Sequence, residues 1–262
     1  MAHVAESTHW YDRAGNPAYT VKAKDGTERP TTLRDARKLD LLPSVTTVIR
    51  CADKPALTNW MVDQGILAAL TLPRNVGESE SDWLKRVKQD SKEQARKAAA
   101  RGTLIHGAIQ GHYEGTPPDT EYWPHVQAAT HEVAGWSPDS EEWVAERSFA
   151  CRMGYGGKVD LSAFDMDSGF VLDFKTKEFA PGDDLKTWDE HAMQLAAYRE
   201  GLGYPDARCA IVYVSVTHPG IASLIEIEEA ELKKGWKCFY SLLQFWKAAR
   251  GYDASFEREL AA

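Results

Sequence analysis

Long apolar runs are missing from this 262-residue sequence. No stretch approaches the roughly 18 apolar residues of a membrane-spanning helix, so a helical membrane protein is excluded and no membrane partner is expected. The opening MAHVAESTHWYD carries no apolar signal region, which sets the expectation of a cytoplasmic protein. Cysteine is scarce. Cys51, Cys151, Cys209 and Cys238 stand far apart without a Cys-x-x-Cys pair, which fits reduced thiols and argues against a disulfide framework or a metal knuckle. His112, His125 and His131 do not form the i, i+4 pair of a zinc-protease helix. Internal repeats and low-complexity segments are absent. A net positive charge is also lacking: the balance is −8, which excludes a nonspecific coat for polyanions but not a local basic surface.

What is present centres on residues 154–198. Two alternating runs, KVDLSAF and FVLDFKT, flank a turn at Asp165, Asp167, Ser168 and Gly169, the pattern of a β-hairpin. Residues two apart on a strand share a face. Asp173 and Lys175 are therefore expected to project together, with Phe174 turned away and Asp160 beside Asp173 across the hairpin. Two carboxylates and an ammonium are costly to bury as plain structure; a divalent cation between the acids would account for them.

Around this stretch the chain reads as follows. Residues 8–21 suggest a small hairpin around Gly15, Asn16 and Pro17. Residues 30–42 read as a helix capped by Thr31 or Thr32 with Asp35 in its first turn. Ser44, Thr46 and Thr47 follow Pro43 where another helix would begin. Their hydroxyls and the local amides could hold a phosphate; simple capping is the competing reading. Trp60 and Met61 continue a helix expected to be core on one side. After a turn-rich linker at 72–81, residues 82–114 form one long or two shorter helices. Their segment LKRVKQDSKEQARKAAAR is the one concentrated basic run, with Lys92, Arg96 and Arg101 among its cations. A solvated helix face competes there with a phosphate track. His106 follows, with Gly102 and Gly107 suggesting close approach of helix and sheet. Residues 116–140 hold a Pro-rich turn and a short helix, and 141–150 a strand on which Glu146 either faces the site or is a surface glutamate. Further on come a helix at 187–201 with Gln194 and Tyr198 on one face, a strand buried on both faces at 207–216, a strand at 221–227 and an amphipathic helix at 229–250.

Singly these signals are weak; their order is not. His106, the G-x-x-D from Gly157 to Asp160, Asp173-Phe174-Lys175 and Gln194-x-x-x-Tyr198 together resemble the PD-(D/E)XK nuclease superfamily. Within it, the set is similar to the RecB-type exonuclease branch, which includes CRISPR adaptation exonucleases and the mitochondrial genome maintenance exonuclease. LPSVTTVI and RGTLIHGAI add to the likeness, which covers roughly residues 42–200. The segments HWYDRAGNPAYTV and RPTTLRDARKL resemble phage-encoded members, which implies a bacterial host cell.

The resemblance implies an α/β fold with a restriction-endonuclease-like mixed sheet flanked by helices. Residues 1–140 would supply a hairpin and a mostly helical cover contributing His106, and residues 141–262 the nuclease core, in one integrated domain. Asp160, Asp173, the Phe174 carbonyl and His106 would bind one or two Mg²⁺ or Mn²⁺ ions, with imidazole favouring manganese. Lys175 would orient or deprotonate the attacking water, or stabilise developing charge. Gln194 and Tyr198 would hold the DNA backbone or the Lys175 region. Several members carry an iron–sulfur cluster bound by one upstream and three clustered C-terminal cysteines; this sequence lacks that cluster of cysteines, so no iron–sulfur centre is expected. The implied activity is metal-dependent exonuclease action on DNA with a free or single-stranded end, in recombination, repair or replication, alongside a phage recombinase or single-strand-binding protein. Trp60 or Tyr113 could stack on bases. A structure-selective endonuclease of the same superfamily and a non-catalytic DNA-end-binding accessory protein are the alternatives.

Overall fold

The computed structural model describes residues 9–53, 55–137, 142–164 and 169–256. The hairpin turn expected at Asp165, Asp167 and Ser168 lies outside the described residues. In chain order the elements are β1 (Trp10–Tyr11), β2 (Thr20–Lys22), β3 (Glu28–Pro30), α1 (Leu33–Leu39), β4 (Leu42–Pro43), α2 (Val45–Ile49), α3 (Pro55–Thr71), α4 (Glu80–Tyr113), α5 (Trp123–Trp136), β5 (Val144–Cys151), β6 (Tyr155–Phe164), β7 (Gly169–Lys177), α6 (Asp189–Leu202), β8 (Arg208–Ser215), β9 (Ala222–Ile227) and α7 (Glu229–Arg250).

A five-stranded mixed sheet in the order β5-β6-β7-β8-β9 forms the centre. Only β7 and β8 run parallel, joined by the crossover through α6; the other neighbours are antiparallel. The apolar run of β8 is buried on both faces, as expected. Cys209 and Ile211 pack into one core, and Val212 and Val214 into the other. The first core lies between the sheet and α6, α7 and α2. Leu232, Phe239, Leu243 and Trp246 of α7 contribute the apolar stripe of a helix period. The second core lies under α4 and α5, with Ile105, Ile109, Val126 and Val133 over Leu161, Leu172 and Phe174. Helices therefore flank both faces of the mixed sheet.

Three local expectations are refined. Residues 9–21 do turn back around Gly15, Asn16 and Pro17, where the Asp12 amide donates to the Asn16 carbonyl, the Ala18 amide donates to the Trp10 carbonyl and a bridge joins Tyr11 to Pro17, but the ladder partner of β1 is β4. The regular hairpin nearby is β2–β3. Trp60 and Met61 are exposed at 45% and 59%, because α3 turns Val62, Ile66, Leu67 and Leu70 outward as well. Gly102 does allow close approach, since a Cβ there would run into the Thr176 side chain, whereas Gly107 faces open space. The helix at 30–42 has the expected cap. The Thr32 hydroxyl oxygen accepts from the Asp35 amide, and the Asp35 carboxylate accepts from the Thr32 amide.

The sheet departs from regularity at one level. The β6–β7 ladder runs from Phe164↔Gly169 to Leu161↔Leu172 and stops there. Beyond it the strands part. On the far side of the fork the N-terminal segment approaches β6 instead, through a bridge from Ser44 to Gly156. Gly156 permits this: a Cβ would lie 2.9 Å from the Tyr11 side chain and from the Phe149 carbonyl.

Candidate active site

Asp160 stands where the strands part. Its Oδ2 accepts the Phe174 amide at 2.8 Å, replacing the missing ladder bond with a side-chain one. On its other flank the register runs Ala145↔Leu161 and Arg147↔Val159, so Glu146 lies opposite Asp160. Glu146 takes a left-handed backbone, with φ 54°. Inward-facing residues change side here in both strands. Phe149 and Val159 pack under α6, whereas Ala145 and Leu161 pack under α4. This double irregularity aims Asp160 into the break rather than onto one face. Asp160 still lies near enough to Asp173 for their charges to interact, as expected, but from within the break rather than from the face that carries Asp173.

Asp173 and Lys175 do share a face, the one under α6, and Phe174 points the other way into the α4–α5 core. Lys175 Nζ lies 2.6 Å from Asp173 Oδ2. Gln194 Nε2 donates to Asp173 Oδ1 at 2.7 Å and to the Tyr198 hydroxyl at 2.9 Å. Lys175 Nζ also reaches Gln194 Oε1 at 3.4 Å. Gln194 and Tyr198 are buried, so they brace the acid and the lysine, which is one of the two roles expected for them. Asp173 is 2% exposed, and among the described residues its Oδ2 accepts no hydrogen bond of ordinary geometry, with the Lys175 ammonium facing it closely.

His106 projects from α4 toward the same break. Its Nδ1 is 3.7 Å from Asp160 Oδ2, and its ring meets Phe174 edge-on. Glu146 shares a small cavity of about 30 Å³ with His106, Gln110, Tyr113, Asp160 and Phe174, and forms an ion pair with Lys158. It therefore faces the site. Tyr113 is half-buried in this cavity wall.

Burial, and then the charge of Asp173, push the Asp160 carboxyl up to about 6. Burial pulls the Lys175 ammonium down, but Asp173 and Asp160 outweigh it and hold its pKa above the ordinary lysine value. Burial and the same two acids raise the Tyr198 phenol well above its usual range. The acids thus repel each other around the half-buried Lys175 ammonium.

Ser44 caps the short α2: its Oγ accepts the Thr47 amide at 3.0 Å and bonds the Thr46 and Thr47 hydroxyls. The capping reading is met there, although Ser44 and Thr46 also line a larger cavity. Lys92, Arg96 and Arg101 are exposed on α4. At 1.5 Å per residue this run leads outward from His106 for about 21 Å. Upstream, Lys85 pairs with Asp82 and Arg86 with Glu78.

Sequence reasoning missed Lys158, although it stands two residues before Asp160, and it missed the aromatic residues His9, Tyr11 and Tyr19. These line a cavity of about 630 Å³ in the fork between β6 and β7, together with Lys158, Lys175 and Gln194. Nothing in the sequence shows that the segment carrying His9, Tyr11 and Tyr19 returns to β6.

The donor set suits a hard divalent cation: two carboxylates, one with an oxygen lacking an ordinary partner, and an imidazole beside them. Among the described residues no three His, Cys, Asp or Glu side chains stand pre-assembled as a metal cage. Lys175 lies against the acid instead. No helix among the described residues is long and apolar enough to cross a membrane.

No protein-family model matches the chain, and no curated protein matches it. Among solved structures, it is similar to a Eubacterium rectale protein provisionally named an exonuclease. That likeness has 10% identity and a TM-score of 0.40, and covers 60% of this chain and 71% of that one. A second, named SSO0001, has 18% identity and a TM-score of 0.25, over 45% of this chain and 56% of that one. Likenesses at these scores carry no argument here.

Proposed function

We propose that this protein is a metal-dependent DNA exonuclease that hydrolyses phosphodiester bonds from single-stranded ends. The observation that carries the reading is the convergence of Asp160, Asp173 and Lys175 at a break in the sheet, with Gln194 and Tyr198 bracing them from α6. A buried acid pair that repels itself calls for a cation. Asp160, Asp173, the Phe174 carbonyl and His106 would hold Mg²⁺ or Mn²⁺. Such an ion supplies Lewis-acid polarisation of the phosphate and lowers the pKa of its water. The chain's own contributions are separate. Gln194 fixes the rotamer of Asp173, so the acid needs no reorganisation as the substrate arrives. Lys175, held charged by the acids, presents an ammonium to the charge that develops on the phosphate. His106 reaches the break from the helix that also bears the exposed cations. A strand drawn along the exposed side of α4 would reach the break at His106, which favours entry by an end.

The test compares end-labelled linear and covalently closed circular single strands, incubated with Mg²⁺ or Mn²⁺. Linear strands are expected to be degraded and circles spared, and Asp160→Ala and Asp173→Ala should abolish cleavage while remaining folded. Equal loss of circles turns the reading to an endonuclease. Binding of ends without cleavage turns it to an accessory protein, and wild-type cleavage by either variant removes the site assignment.

A further inference from the structure

The fork between β6 and β7 holds a cavity whose aromatic lining the cleavage chemistry does not use. At about 630 Å³ it falls in the range of roughly 300–1,000 Å³ that encloses one small organic ligand. Lys158 of one strand and Lys175 of the other line it, so it adjoins the group assigned to the reacting phosphate. His9, Tyr11 and Tyr19 give it an aromatic lining. The His9 and Tyr19 rings are stacked, with centroids 4.4 Å apart and planes 23° from parallel, and Tyr11 meets Tyr19 edge-on at 5.7 Å.

The phenols are fixed before any ligand arrives. The Tyr11 and Tyr19 hydroxyls bond each other at 2.7 Å, and Tyr11 sits directly on Gly156. Their polar tips are satisfied there, while Tyr19 remains only half-buried at the cavity wall. A rigid π-wall facing cationic groups is the combination that takes an unpaired base with its phosphate: the ring stacks, the ammonium groups meet the anion.

We infer that this cavity is a subsite for one unpaired nucleotide next to the scissile phosphate, its base stacked on the Tyr19–His9 wall. The inference rests on the nuclease reading of Asp160, Asp173 and Lys175 and adds the ligand class: a strand with its terminal bases unstacked from any partner. Stacking tolerates every base, so the subsite selects for single-strandedness and not for sequence.

The probe is a fluorescein-labelled single-stranded 12-mer, with matched strands carrying one abasic site at each of the three positions nearest either end. Binding is read by anisotropy in Ca²⁺, and cleavage by single turnover in Mn²⁺. Tyr19→Ala is expected to weaken binding of the intact strand by about 5- to 150-fold, the scale of one lost stacking contact. Wild type should lose a similar factor at one abasic position. Tyr19→Ala should be indifferent to the base at that position, and Tyr19→Phe should restore stacking. If Tyr19→Ala, still folded by thermal melting, binds every strand as wild type does, the subsite is refuted and the nuclease reading stands. An equal loss on all strands, abasic ones included, makes Tyr19 merely structural and also refutes it. If wild type neither binds nor cuts single strands, the nuclease reading fails first and the subsite with it.

Discussion

Gln194 Nε2 donates to Asp173 Oδ1 at 2.7 Å, so one buried amide sets the orientation of one buried acid. The same nitrogen donates to the Tyr198 hydroxyl, and the amide oxygen faces Lys175. Asp173, Lys175 and Tyr198 are thus held together by one residue.

Gln194→Ala is expected to leave Asp173 Oδ1 without its donor, at a cost of about 1–3 kcal/mol. It should also slow single-turnover cleavage by about 10-fold or more while leaving strand affinity nearly unchanged. Gln194→Glu should be worse in both respects, since it places a third carboxylate against Asp173. Thermal melting together with rapid-quench rates checks this; a loss confined to affinity would assign Gln194 to the DNA backbone instead.

The pH dependence follows from Asp160. Its carboxyl titrates near 6 in the folded chain against about 3.9 when unfolded. The folded state therefore binds the proton more tightly, and the contribution is stabilising at low pH. Without metal, stability should fall as pH rises from about 4 through about 6 and then level off. Asp160→Asn should flatten that fall, because the amide still accepts from Phe174 but carries no charge. Mn²⁺ should raise the melting temperature more at pH 7.5 than at pH 5, where the proton competes for the site. Parallel melting curves of wild type and Asp160→Asn across this range, in EDTA, would remove the buried-repulsion account.

The exposed cations of α4 give a third test. Replacing Lys92, Arg96 and Arg101 by Gln should weaken DNA binding and lower the slope of log affinity against log salt, because each lost phosphate contact releases fewer counterions. Melting temperature should stay within a degree or two, since all three side chains are exposed. An unchanged slope returns the run to a solvated helix face.

Much of the fold was legible because its elements announce themselves locally. β8 is an unbroken apolar run, α7 repeats its apolar residues at helix spacing, and Thr32 with Asp35 forms a cap visible in the sequence. Asp173 and Lys175 share a face by strand parity alone. The position of Asp160 was not legible, because parity fails where β5 and β6 both turn over at Glu146 and Asp160, and a left-handed glutamate leaves no compositional trace. Trp60 and Met61 misled for a related reason. The helix carrying them is apolar nearly all round, so its pattern does not say which side is covered, and the structure leaves both exposed. Lys158 and the aromatic wall went unseen because their meeting depends on contacts between distant parts of the chain.

The bridge from Ser44 to Gly156 also bears on how the molecule matures. It closes a chain loop of more than a hundred residues, and loops of that length are slow to close compared with a hairpin or a neighbouring helix pair. The β5–β9 sheet with α6 and α7 can form from contacts much closer in sequence. The wall of the fork, built from His9, Tyr11, Tyr19 and the Ser44 segment, is expected to form after it. On the proposed reading, a refolding chain should then regain its sheet and its acids before it regains the capacity to bind a strand.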